Sequence, residues 1–144
     1  MNEEFILFNE AYREIKHRAL MQYPNEACGL LLSRWSDHAI EIASVADNKA
    51  DGEEKAGYFK IDPIQLYEME REIEEKGYEV IGFFHSHPDK QAVLSYADNK
   101  NMIPGMVYII VSVTEDTVHD LRGYMKDTPE GDVYEIRIEE ESIL

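Results

Sequence analysis

The chain predicts an α/β fold, a mixed central sheet with helices packed against it, formed as one domain over residues 1–144. Three observations carry that expectation. Segments of helical periodicity alternate with short apolar strands along the whole length. The string Asp62-Pro63-Ile64-Gln65 is a strong helix start, with an acceptor at the cap, proline at the first helical position and glutamine three residues after the cap. The runs Val80 to Phe84 and Val107 to Val113 are apolar enough to form buried strands.

The elements follow in order. Asn9 can cap a first helix running to about Gln22, in which Tyr12, Ile15 and Ala19 recur at three- and four-residue spacing and form a stripe for the sheet. Cys28 to Ser33 and Ala39 to Val45 read as strands around a turn near Ser36-Asp37, and a loop rich in Asp, Lys and Gly covers Ala46 to Gly57. Tyr58 to Ile61 is a short strand. The second helix starts at Asp62, sets Leu66, Met69 and Ile73 on one side and closes at Gly77. Strands follow at Glu79 to His85, Val107 to Val113, Leu121 to Met125 and Val133 to Ile138, with a short helix after Ser95 that ends near Pro104-Gly105. No repeat, low-complexity tract or linker interrupts this order.

Composition narrows the function. A chain of 144 residues is long enough to bury a sizeable core without disulfide or metal staples. Its 30 acidic residues against 14 basic ones give a net charge of −16, which opposes phosphate backbones and argues against nucleic acid as a partner. The acids are spread over Glu68 to Glu79 and Glu115 to Glu141 as solvated faces, so a basic protein partner stays compatible. The one cysteine, Cys28, permits no internal disulfide, and Met1-Asn2-Glu3-Glu4 lacks the features of a secretory signal, so a cytoplasmic location is expected. No apolar run approaches the roughly 18 residues that a membrane helix needs. Cys28 lies in an apolar stretch and reads as a small buried residue.

The chemistry concentrates in His85-Ser86-His87-Pro88, followed by Ser95 and Asp98. Residues i and i+2 of a strand share a face, so a strand running into His85 and His87 aims both imidazoles one way and Ser86 the other. Pro88 disfavours helix at the residue before it and ends the regular run, and a loop through Leu94 can return the carboxylate of Asp98 to the imidazoles. Two histidines and one carboxylate leave the fourth position of tetrahedral zinc open to water, as in catalytic sites, and zinc can bring that water's pKa to roughly 7. The pattern Ser95-Tyr96-Ala97-Asp98 also fits a capping box, in which a hydroxyl engaged by the backbone is less available to substrate. His17, His38 and His119 read as background, Trp35 as a partly buried ring at a strand end, and Asp89 as a solvated loop acid or a partner for a ligand histidine.

This string resembles the JAMM (MPN-plus) zinc metalloprotease motif, a glutamate upstream of His-[Ser/Thr]-His-Pro, then a short loop and Ser-x-x-Asp. Pro24-Asn25-Glu26-Ala27-Cys28-Gly29-Leu30 is similar to the family's Pro-x-Glu-x-Cys-Gly-Leu segment. The likeness extends over Tyr58 to Pro63 and the helix after it, Ile81 to Phe84, and Tyr108 to Ser112, which is most of the chain. One departure is Gln91 and Leu94, where many small prokaryotic members carry prolines, and it implies a more mobile loop before Ser95.

The resemblance implies a curved, cytidine-deaminase-like sheet flanked by helices and a single zinc ion on His85, His87 and Asp98. Glu26 would be the general base that takes a proton from water and passes it to the leaving amine, and Ser95 would hydrogen-bond the developing oxyanion. Glu26 is read this way through the matching segment alone. The implied activity is hydrolysis of amide or isopeptide bonds at the C-terminal Gly-Gly end of ubiquitin-like proteins, including sulfur carriers of the ThiS and MoaD kind. A homodimer is compatible with that reading. The alternatives are a non-catalytic MPN scaffold that binds a ubiquitin-like partner, a zinc deaminase, whose Pro-Cys-x-x-Cys element one cysteine cannot supply, and a relative of the RadC branch, which the acidic charge disfavours.

Overall fold

Glu41 marks the place where the two ends of one sheet meet. The computed structural model describes residues 3–34, 38–46 and 62–141. Its strands are β1 (Glu4–Leu7), β2 (Cys28–Ser33), β3 (Ala39–Ile40), β4 (Ile42–Ala46), β5 (Glu79–Pro88), β6 (Val107–Val113), β7 (Val118–Met125) and β8 (Tyr134–Glu140). Its helices are α1 (Asn9–Gln22), α2 (Pro63–Glu75) and α3 (Tyr96–Lys100). The eight strands lie in the order β3-β1-β8-β7-β6-β5-β2-β4, so the sheet begins and ends with strands that adjoin in sequence. It therefore curls almost into a barrel. The pairs β5 with β6, β1 with β3 and β1 with β8 are parallel, and the other pairs are antiparallel.

A single strand was expected from Ala39 to Val45, but it is divided at Glu41. The Glu41 N–H donates to Leu32 O at 2.9 Å, and its carboxylate accepts the Arg34 N–H and, at 3.4 Å, the Ser33 hydroxyl. Those bonds turn the chain from one end of the sheet to the other. β1 was not foreseen at all. Its alternation is clear in the fold, with Phe5 and Leu7 buried and Ile6 exposed.

The helices take opposite faces of the sheet, as alternation requires. α1 buries Ala11, Ile15 and Ala19 against Leu31, Phe84, Val107, Ile109, Val111 and Val113. Tyr12, expected in that stripe, is only partly buried at its margin. α2 sets Leu66, Met69 and Ile73 against Leu30, Leu32 and Val80 on the other side. The start of α2 follows the sequence reading, with the Asp62 carboxylate accepting the Ile64 N–H at 3.0 Å and Gly77 at φ 84° just past the end. The start of α1 does not. Its cap position is Phe8, which makes no side-chain cap bond, and the Asn9 N–H instead donates to Glu141 Oε1 at 3.0 Å, across the whole chain.

The expected turn at Ser36-Asp37, Trp35, the loop following Ala46 and the strand Tyr58 to Ile61 lie outside the described residues. No helix among the described residues is long and apolar enough to cross a membrane.

The parallel contact of β5 with β6 leaves no room at Gly82, where an added Cβ would stand 2.0 Å from Val107 O. Gly82→Ala should therefore lower stability by about 2 kcal/mol or more in urea unfolding, because the clash is with backbone. A variant within about 0.5 kcal/mol of the parent would refute this tight approach.

Candidate metal centre

The site grows from the C-terminal end of strand β5. His85 and His87 share one face with Phe83, while Phe84 and Ser86 point to the α1 side. The two imidazoles, with centroids 5.0 Å apart, are both buried, at 1% and 6% exposure. Asp98, from α3, reaches both: Oδ1 is 3.2 Å from His85 Nε2 and Oδ2 is 3.1 Å from His87 Nε2. Glu26, 3% exposed in the segment before β2, completes the group, with donor atoms of Glu26, His85 and His87 all within 4.8 Å of one another.

Ser86 explains how Glu26 arrives. Its Oγ accepts the Ala27 N–H at 2.8 Å, and its own N–H donates to Ala27 O at 3.0 Å. The residue between the two imidazoles thus clamps the residue beside Glu26. Sequence reasoning placed Ser86 on the opposite face and gave it no task; the signal was that alternation itself.

Ser95 and Asp98 form the reciprocal capping box. The Asp98 N–H donates to Ser95 Oγ at 3.0 Å, and the Ser95 N–H donates to Asp98 Oδ2 at 2.9 Å. The cap uses a lone pair of the hydroxyl and leaves its proton to donate elsewhere, so the competition expected between cap and substrate is not forced. In the loop leading to Ser95, Gln91 O lies 3.0 Å from His87 Nδ1, and Leu94 packs with Ala92, Met102, Tyr108 and Tyr124. Asp89 pairs with no imidazole. Its carboxylate accepts the Tyr23 hydroxyl at 2.7 and 2.8 Å, so the outer partner of His87 is a backbone carbonyl.

Electrostatics separate the two carboxylates. Burial raises the Glu26 pKa to about 7, with the neighbouring Asp98 charge adding to the rise and His87 and Lys90 opposing it. Burial pushes Asp98 the same way, but hydrogen bonds from His85 and His87 outweigh it and hold Asp98 well below the usual carboxylate range. Burial lowers His85. Burial also pulls on His87, yet its bonds to Asp98 and Gln91 O leave it raised.

The donors fit a divalent cation. Gln91 O can only accept, so Nδ1 of His87 carries a proton, and Nε2 facing Asp98 either carries a second one, in the hydrogen bond described above, or is bare when a cation is bound. A bare nitrogen 3.1 Å from an ionised carboxylate oxygen is repulsive unless a proton or a cation lies between them. Two donors each about 2.1 Å from a tetrahedral zinc would stand roughly 3.4 Å apart, close to the spacing found here.

The remaining histidines are engaged elsewhere or solvated, as expected. His38 bonds Glu3 Oε2 at 2.8 Å, His119 bonds Thr114 Oγ1 at 2.8 Å, and His17 is exposed. Cys28 is buried.

Residues 8–124 match the family described as prokaryotic homologs of the JAB domain. A desampylase of Haloferax volcanii is 33% identical over 90 residues, a stretch covering 62% of this chain and 63% of that protein. Among solved structures, a protein of Desulfitobacterium hafniense superposes with TM-score 0.81 at 25% identity, covering 97% of this chain and 94% of the other. One from Salinibacter ruber gives 0.67 at 25% identity over 90% and 87%. A JAB1/MPN domain protein from Archaeoglobus fulgidus gives 0.55 at 18% identity over 95% and 99%, a likeness of fold.

Ser86→Ala would leave the Ala27 N–H buried and unpaired, so a loss of about 1–3 kcal/mol in chemical unfolding is expected. A neutral substitution would mean that the clamp beside Glu26 contributes nothing.

Proposed function

The chain belongs to the prokaryotic homologs of the JAB domain, and from that premise we propose that it is a zinc-dependent metallopeptidase. Its target would be amide or isopeptide bonds at the C-terminal Gly-Gly end of ubiquitin-like or sulfur-carrier proteins. The observation that carries this reading is the convergence of His85, His87, Asp98 and Glu26 from three separate parts of the chain, with the two carboxylates driven in opposite directions. A relative named desampylase supports a substrate of the ubiquitin-like class.

His85, His87 and Asp98 would hold the zinc. Bonds with the two imidazoles hold the Asp98 carboxyl well below the usual carboxylate range, which favours the charged form that a metal ligand needs. Zinc in this position would supply a Lewis acid that acidifies water and polarises an amide carbonyl.

The chain's own residues do the rest. Glu26, buried and with high proton affinity, would take a proton from the attacking water and return it to the departing amine, and a nearby cation would bring its pKa down from about 7. Two carboxylates pushed apart in this way are suited to two different tasks. The Ser95 hydroxyl accepts the Asp98 N–H, and its proton would donate to the carbonyl oxygen as negative charge builds there. Burial of both imidazoles keeps water from competing for the donors.

Elemental analysis of protein purified without chelator should find about one zinc per chain, fitting the three-ligand set. Glu26→Gln should retain that zinc while cleaving a carrier fusion about 10²–10⁴-fold more slowly. Undiminished cleavage by this variant would exclude Glu26 as the base, and cleavage unaffected by chelation would exclude the metal mechanism.

A further inference from the structure

Residues 89–105 carry Ser95 and Asp98, yet their regular structure is limited to the five-residue α3. A helix that short has no stability of its own. Its orientation must come from outside, and the source is one face of β6 and β7. The Ser112 hydroxyl donates to Lys90 O at 2.5 Å, the Tyr124 hydroxyl donates to Ala92 O at 2.7 Å, and the Ile103 N–H donates to the Tyr108 hydroxyl at 2.8 Å. These three bonds hold the flanks of α3.

Lys126 holds the helix itself. It is 4% exposed, and its Nζ lies 3.1 Å from Asn99 O and 3.3 Å from Pro129 O. A buried ammonium is costly unless strong acceptors surround it. Here the acceptor in the helix is a carbonyl of its last turn, which also takes the Met102 N–H at 3.3 Å and lies at the end where positive charge is favoured. Asn99 directly follows Asp98. At the other end, the capping box of Ser95 and Asp98 fixes the first turn. α3 is thus pinned at both ends, and the Asp98 carboxylate emerges between the pins toward His85 and His87.

We infer that Lys126 is a positioning residue of the metal centre: its buried ammonium, bonded to Asn99 O and Pro129 O, sets α3 so that Asp98 meets both imidazoles. This rests on the metal site proposed above, and it concerns a residue distant in sequence from the His-Ser-His-Pro motif.

The test compares Lys126→Met, Lys126→Arg and Asp98→Asn with the parent by titrating zinc and cobalt(II) against a chromophoric chelator, alongside the visible spectrum of the cobalt form and the melting temperature of metal-free protein. Lys126→Met should weaken metal binding about tenfold or more and alter the cobalt spectrum, as loss of an outer support does. Lys126→Arg, which keeps a charged donor, should recover most of the affinity. In the Asp98→Asn background the Lys126→Met change should alter affinity by less than about twofold, since its effect runs through the missing carboxylate. Should Lys126→Met not fold, Lys126→Gln replaces it under the same criteria. Parental affinity and spectrum with only a lowered melting temperature would overturn the inference, as would a full loss persisting without Asp98. A parent protein that binds neither metal would overturn both this inference and the metal reading beneath it.

Discussion

The two-residue alternation at the end of β5 is the constraint on which the site depends. Because neighbouring side chains must face opposite ways, His85 and His87 converge on one side while Ser86 is committed to the other. There Ser86 grips Ala27 through two hydrogen bonds and so brings Glu26 to the imidazoles. One backbone geometry therefore supplies two donors and recruits a third group from a distant segment. A shift of one residue in the pairing of β5 with β6 would reverse every one of these assignments at once. Gly82 guards against that shift, since its close approach to Val107 O admits no side chain.

The second organising effect is electrostatic. In a chain with a net charge of −16, Glu26 and Asp98 are two of the 30 acids, and side by side they would repel each other if both were charged. They are instead distinguished by their partners. Asp98 meets both imidazoles and the Ser95 N–H, which favour its charged form, whereas Glu26 is dominated by burial, which disfavours it.

Most of this was legible in the sequence where short-range rules decide. The start of α2 at Asp62-Pro63, the face shared by His85 and His87, and the capping pattern of Ser95 and Asp98 all follow from local spacing. The prokaryotic JAB fold was legible through the resemblance of its strings. What was not legible depended on contacts that local periodicity does not encode, several of them far apart in the chain. Asn9 looked like a cap by composition, but Glu141 does that work from the opposite end of the chain. β1 is too short to announce itself without the partners that flank it, β3 and β8. The break at Glu41 arises from hydrogen bonds to Leu32, Ser33 and Arg34, which no periodicity encodes. Glu26 is one acid among 30 by spacing, singled out only by the resemblance of its segment, and the fold sets it beside His85 and His87.

The meeting of β3 and β4 at Glu41 ties the two margins of the sheet into one covalent seam. Neither margin can peel away without dragging on the other, so thermal fraying at one side is resisted by the pairing of the opposite side. The seam also limits what a neighbouring molecule would find. At β3 the template of backbone groups is only two residues long, far less than the six or so residues that fibril-forming stacks require.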